Sequence, residues 1–281
     1  MTIMETRRSR ITKSNQVSQL PAVVYAIWGP HGSPGKSIIA LNLAYEFATL
    51  GKSVLLIDLD NNAPSQGLLV GSELNQPGIA AVARLIRQSR FDLEQLDRLA
   101  LNIRHKRVSF KLLTGLTATS RWPEVTEETV TQLLNLARTR FDVIILDLAS
   151  NLEASIIDTS HTTARNAVTR KAIQQSDSTL VILRETKLSL QRYLENHAQV
   201  TELQPHHQLI LNQSSRSQTF AKALKTLVNE QPLATIPDDQ ASIELAQAEA
   251  LPLALVRRKS PARWAIGELA NRLLVCPPSA S

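Results

Sequence analysis

The residues Gly29-Pro-His-Gly32-Ser33-Pro34-Gly35-Lys36-Ser37 join an apolar run, Val23–Trp28, to a helical pattern that begins at Ser37. A turn of that make-up can hold phosphate. Gly32 and Gly35 permit positive φ and let the main chain approach phosphate oxygens. Backbone N–H groups at the start of the following helix point at an anion. Lys36 supplies a point charge for the outer phosphates, and the Ser37 hydroxyl can ligate Mg²⁺. The next apolar run, Ser53–Leu59, leads to the carboxylates Asp58 and Asp60, and Phe141-Asp-Val-Ile-Ile-Leu-Asp147 ends on a third. Carboxylates beside a phosphate loop suit a divalent cation, although each alone also reads as a strand end that caps its loop. The spacing Gly-x4-Gly-Lys-Ser/Thr is not met, because Pro30 stands at its first glycine. Pro30 and Pro34 each remove an N–H donor, so a weaker phosphate grip than usual is expected.

These residues need strands to carry them and helices to cover the strands. Strands are predicted at Val23–Trp28, Ser53–Leu59, Val108–Thr114, Asp142–Leu148, Ser178–Leu183, Gln208–Asn212 and Leu233–Ile236. Most are continuous Val/Ile/Leu runs, the pattern of strands buried on both faces of a parallel sheet. Helical patterns fall between them: Ser37–Leu50, Gly78–Gln88, Glu127–Thr139, Thr163–Gln175, Ser189–Gln204, Ser217–Glu230, Gln240–Ala248 and Ala262–Leu274. The alternation predicts an α/β fold, a doubly wound and mostly parallel sheet with helices on both faces, whose ligands bind beyond the carboxyl ends of the strands. Asn61–Arg107 is the least regular stretch and reads as a helical insertion. Residues 21–275 are expected to form one nucleotide-binding domain, between a disordered basic tail at 1–20 and a disordered tail at 276–281.

Composition narrows the setting. The 281 residues are 43% hydrophobic, enough for a buried core, and no apolar run reaches the length of a membrane span. Met1–Gln19 is polar and basic, without the apolar centre of a secretory signal. The single Cys276 can form no internal disulfide and fits a reducing cytoplasm. Of the net charge of +6, +3 falls within the first 20 residues. Arg257, Arg258, Lys259 and Arg263 cluster before the last helix; they read either as a solvated basic face or as a surface for non-specific DNA.

The chain resembles the MinD/ParA group of P-loop ATPases. His31-Gly32-Ser33-Pro34-Gly35-Lys36-Ser37 matches that family's deviant Walker A loop, Ile39-Ala-Leu-Asn42-Leu-Ala44 its helix, and Val54-Leu-Leu-Ile-Asp58-Leu-Asp60 its next strand. Phe141–Asp147 is similar to the Walker B strand, Leu209-Ile-Leu-Asn212 to a strand ending in a base-contacting asparagine, and Ile236-Pro237-Asp238-Asp239 to a segment near the adenine. Leu113–Val125 and Ala164–Ile182 resemble a branch compared with the pilus-associated CpaE/TadZ proteins. The resemblance implies ATP and Mg²⁺ as cofactors. It implies a nucleotide loop of Gly32, Ser33, Pro34, Gly35, Lys36, Ser37 and Ile38, with Asn212, Pro237 and Asp239 near the base. It places Asp147, Ser37 and Asp58 at the metal, and Asp60 where attacking water is oriented. It further implies an ATP-dependent homodimer, a protein partner, and a bacterial cytoplasmic location with recruitment to the nucleoid or inner membrane.

Four departures matter. His31 replaces the family's signature lysine and, at an ordinary pKa of about 6.5, is mostly neutral at pH 7. Ser33 replaces a glycine. Leu148-Ala-Ser-Asn151 replaces the switch that follows the Walker B aspartate. The end, Leu273-Leu-Val-Cys-Pro-Pro-Ser-Ala-Ser281, cannot form the membrane-binding amphipathic helix that finishes MinD. Two readings follow: a slow or partner-stimulated ATPase that organises its partners in space, through Lys36 and Asp60, or a degenerate P-loop scaffold that localises a complex without hydrolysis.

Among other residues, His206-His207 lacks a third metal ligand at useful spacing. Trp122-Pro123-Glu124 and Arg165-Asn166 read as loop organisers or a partner surface. Trp264, Leu269 and Leu273 read as the core face of the final helix. The order of serines, histidines and aspartates supports no hydrolase triad.

Overall fold

The computed structural model describes residues 22–32, 35–72, 76–153, 161–215 and 217–275, with the backbone alone for 161–164. The tails at 1–20 and 276–281, Cys276, and the loop residues Ser33 and Pro34 lie outside the described residues.

The first half of the chain runs β1 (Val23–Trp28), α1 (Lys36–Thr49), β2 (Val54–Leu59), α2 (Gln66–Leu69), α3 (Gly78–Arg87), α4 (Leu93–Leu99), β3 (Leu101–His105), β4 (Val108–Leu113), α5 (Glu127–Ala137) and β5 (Val143–Leu148). The second half runs α6 (His161–Gln174), β6 (Ser178–Arg184), α7 (Lys187–Leu203), β7 (Gln208–Ser214), α8 (Gln218–Val228), β8 (Pro232–Pro237), α9 (Gln240–Ala248), α10 (Leu253–Val256) and α11 (Pro261–Val275). The eight strands form one sheet in the order β3-β4-β2-β5-β1-β6-β7-β8. Every pairing is parallel except β3 with β4.

The central strands explain themselves. β2 and β5 are buried at every residue, as continuous Val-Leu-Leu-Ile and Val-Ile-Ile-Leu runs require. Each such side chain, fully buried, contributes about 1.5–3 kcal/mol. Two cores result, one on each face of the sheet. One packs Ile79 of α3, Val130 of α5, Val168 of α6, Tyr193 of α7 and Phe220 of α8 over the strands. The other packs Ile39 and Phe47 of α1 with Leu253 of α10 and Ile266 of α11. Asn42 locks the second face: its amide donates to the Ile38 carbonyl at 2.8 Å, and its oxygen accepts the Leu253 N–H at 2.8 Å.

One sequence expectation needs correction and one needs an addition. The stretch 61–107 carries its helical insertion as α2, α3 and α4, and Leu101–His105 adds an antiparallel edge strand that was not predicted. Its side chains alternate between partly covered and exposed, so the short run lacks the continuous apolar pattern of the central strands. Trp264 is not on the core face of α11; it is 58% exposed, with the Arg263 guanidinium 5.7 Å from its ring centre. The buried stripe of that helix is Ala262, Ile266, Leu269, Ala270 and Leu273. Its spacing of three and four residues turns position 264 outward.

Candidate functional site

The parallel topology gathers the predicted loop and carboxylates at one edge of the sheet, past the carboxyl ends of β1, β2 and β5. Gly35 enters α1 with φ of +98°, a left-handed conformation suited to glycine. A Cβ there would come within 2.3 Å of Asn212 Nδ2, so Asn212, arriving from β7, lies against the phosphate loop. Gly32 also has positive φ, +79°, and a Cβ on it would meet Arg192 of α7 at 2.7 Å. Arg192 donates to the His31 carbonyl at 2.5 Å. Among the described residues no side chain caps α1, so its first-turn N–H groups, which have no intrahelical acceptor, stay open at this end.

Asp58 and Asp147 are direct partners in the β2–β5 register, which puts both carboxylates on one face. Both are buried. Asp58 accepts N–H groups from Asp60 at 3.1 Å and from Ser65 and Gln66 at 2.9 Å. Burial, and then the charge of Asp147, still push its pKa well above the ordinary carboxylate range. Burial likewise pushes Asp147 up to about 6, against the Gln66 amide, the Ser37 hydroxyl and the Lys36 ammonium, which favour its charged form. Gln66 joins strand end to phosphate loop: one amide nitrogen donates to Asp147 Oδ2 at 2.8 Å and to the Ser37 carbonyl at 3.0 Å. Asp147 Oδ1, fully buried, has no hydrogen-bond partner among the described residues.

Lys36 Nζ donates to Ser150 Oγ at 2.5 Å. Burial lowers its pKa, and the charges of Asp147 and Asp60 oppose that. His31 Nε2 meets the Asn151 side-chain oxygen at 3.1 Å, and Trp28 donates to the Ser150 carbonyl at 3.2 Å. The Ala149–Asn151 loop is thus tied to the phosphate loop at two points and to the end of β1 at a third. Asp60 accepts the N–H groups of Asn62 and Ala63 at 2.9 Å, so it shapes its own loop.

The site residues do not all gather equally. Lys36, Ser37, Asp58, Asp60 and Asp147 share the edge, and Asn212 touches it through Gly35. Ile38 contributes its carbonyl to Asn42 inside α1. Pro237 ends β8 beside Ser214, and Asp239 precedes α9. Burial opposes charge on Asp239, but the Ser260 and Ser242 hydroxyls hold its pKa below the ordinary range. Of the basic cluster, Arg257, Arg258 and Lys259 are exposed, whereas Arg263 is committed to buried Glu46 at 2.8 Å. Arg165 lies 6.0 Å from the Trp122 ring centre and bonds the Asn61 carbonyl, so those two segments organise one loop cluster.

Gln66, Ser150, Asn151 and Arg192 were missed in the sequence. A signal existed for Ser150 and Asn151, which leave the carboxyl end of a central strand, where open α/β sheets hold ligands. None marked Gln66 or Arg192, whose parts depend on distant segments.

The orphaned Asp147 oxygen beside Ser37 and Lys36 fits a cation, and the glycine turn with the open start of α1 fits a phosphate. Relatives bear on this chemistry. The sequence matches the CobQ/CobB/MinD/ParA nucleotide binding domain over residues 25–253. No curated protein matches the sequence significantly. The fold is similar to a ParA family ATPase from Chlorobium tepidum TLS, at TM-score 0.74 and 20% identity over 90% of this chain and 99% of that one. It is similar to the septum site-determining protein MinD of Pyrococcus horikoshii OT3, complexed with Mg-ADP, at TM-score 0.70 and 17% identity over 90% and 96%. It is also similar to the MinC:MinD cell division protein complex of Aquifex aeolicus, at TM-score 0.64 and 20% identity over 92% and 98%.

Proposed function

The chain belongs to the CobQ/CobB/MinD/ParA nucleotide-binding family, and on that footing we propose that it binds ATP with Mg²⁺ at the edge formed by Lys36, Ser37, Asp58 and Asp147. The observation that carries this is the solvent-free Asp147 Oδ1, unsatisfied among the described residues, next to a lysine and a hydroxyl at a helix start. Gly32, Ser33, Pro34, Gly35 and Ile38 complete the phosphate turn. Asn212, Pro237 and Asp239 line the base side. The cation, when bound, neutralises phosphate charge and lets Asp147 and Asp58 remain ionised. Lys36 holds the outer phosphates. Asp60 positions water, with no strong base required.

The expected biological output is nucleotide-dependent organisation of a partner, in division, DNA partitioning or an envelope or pilus machine. It includes an ATP-dependent homodimer, and also a protein partner, for which the Aquifex MinC:MinD complex is an analogy. Exposed Arg257, Arg258 and Lys259 offer a phosphate-binding surface for non-specific DNA. Among the described residues no helix is long and apolar enough to cross a membrane. In this reading the protein sits in the cytoplasm and is brought to nucleoid or inner membrane by its partner.

Calorimetry with Mg-ATP tests the central reading. Wild-type chain takes up one nucleotide, and Lys36→Ala loses it. Failure to bind at millimolar ATP overturns the proposal. A second reading, a scaffold that does not turn ATP over, is favoured by two contacts: Lys36 is engaged by Ser150, and His31 by Asn151. Single-turnover hydrolysis with partner present separates the two.

A further inference from the structure

Far from the phosphate site, at the amino-terminal edge of the sheet, three side chains from separate elements converge. His197 lies on α7, His207 immediately precedes β7, and Glu230 links α8 to β8. His207 Nε2 lies 2.9 Å and His197 Nε2 2.8 Å from the same oxygen, Glu230 Oε1. One ligand atom from each residue lies within 4.8 Å of the others. We propose that His197, His207 and Glu230 are a zinc site that clamps α7 to the start of β7 and to the α8–β8 connection.

The tautomer of His207 supports this. Its Nδ1 faces the Gln204 carbonyl at 3.1 Å. A carbonyl only accepts, so Nδ1 carries the hydrogen and Nε2 is the nitrogen turned toward the Glu230 carboxylate, with the Tyr193 hydroxyl 3.2 Å from it. A ring nitrogen 2.9 Å from a carboxylate oxygen needs a positive charge between them, which a proton supplies in the ion-free cluster and a metal ion can supply in its place. A ring nitrogen donating to a backbone carbonyl while the other faces a cation is how metal-binding histidines are oriented. Tyr193, one turn before His197 on α7, donates to the other oxygen, Glu230 Oε2, at 2.6 Å and fixes that carboxylate as well.

Two imidazole nitrogens and one carboxylate oxygen suit zinc, with a fourth position left for water. Metal–ligand bonds of about 2.0–2.2 Å in a tetrahedron set ligand atoms ~3.4 Å apart. The observed 2.8 and 2.9 Å then require the side chains to open by about half an ångström, within reach of small rotations. The His207 side chain is 6% exposed, and those of Glu230 and His197 are 21% and 28% exposed, so an ion can enter yet sit mostly sheltered.

The test uses untagged full-length chain, stripped with chelator and titrated with zinc chloride. Expected are one zinc retained per chain after desalting, and a cobalt-substituted form with the strong visible absorption of a tetrahedral centre. His197→Ala, a partly exposed position, and Glu230→Gln should each weaken zinc binding at least tenfold while circular dichroism is unchanged. Zinc should raise the melting temperature of wild type by several degrees and leave His197→Ala unmoved. Lys36→Ala should retain zinc. Zinc uptake no greater in wild type than in the two variants overturns the proposal and leaves a protonated histidine–carboxylate cluster in its place.

Discussion

Asp58 and Asp147 stand opposite one another across the parallel β2–β5 pair, with both carboxylates sealed from solvent. Burial raises the pKa of each, the charge of Asp147 adding to the rise at Asp58 and that of Asp60 to the rise at Asp147, and Asp147 reaches about 6. Between its unfolded value near 3.9 and about 6, the folded chain holds the proton that the unfolded chain releases. Stability from this group is therefore full at low pH and falls as pH rises through that window. Asp147→Asn should stabilise the ligand-free chain by ~1–3 kcal/mol at pH 7 and by almost nothing at pH 4. Urea titrations at the two pH values measure it, and a larger gain at pH 4 would contradict the assignment. The same variant should lose the Mg²⁺ dependence of nucleotide binding.

The Lys36–Ser150 contact sets a second expectation. If the ammonium must leave the Ser150 hydroxyl to meet phosphate, that hydrogen bond opposes binding. A charge-assisted bond of this kind is worth about 1.5 kcal/mol. Ser150→Ala should then tighten Mg-ATP binding roughly tenfold. Weaker binding in the variant would instead make Ser150 a direct contributor to the site.

At Gly35, two costs meet. A side chain must adopt φ of +98° and also press on Asn212 at 2.3 Å. Gly35→Ala should destabilise the chain by about 1–3 kcal/mol and abolish nucleotide binding. Combining it with Asn212→Ala should recover the steric part in thermal melts but not the part due to φ. Full recovery would show that backbone conformation is not the constraint.

Gln66 provides a fourth test. Gln66→Leu keeps the volume but leaves the Ser37 carbonyl and Asp147 Oδ2 without their shared donor. The loss should be about 2 kcal/mol in denaturant unfolding. Asp147 should titrate still higher, followed by carboxyl NMR shifts.

Much of the site was readable before folding was considered. Gly32 to Ser37 is contiguous, so its chemistry is local: a glycine turn, a helix start and one lysine. Asp58 and Asp147 were readable because each ends an uninterrupted apolar run, and such runs become central parallel strands whose ends lie at one edge. His207 showed the opposite case. Its neighbour His206 suggested a pair, yet the side chains its Nε2 meets, Glu230 and Tyr193, come from other elements, and His197 converges on the same carboxylate.

By itself, then, the sequence determined the phosphate turn, the acidic strand ends and the parallel α/β architecture, because each is written in neighbouring residues or in a run with one period. Only tertiary structure decided that Gln66 would bridge Ser37 to Asp147, that Ser150 and Asn151 would reach Lys36 and His31, and that Arg192 would lie on the loop. Those contacts join segments whose separation along the chain exceeds any local period. They form when strand order sets which loops meet, and no short stretch of sequence encodes that order.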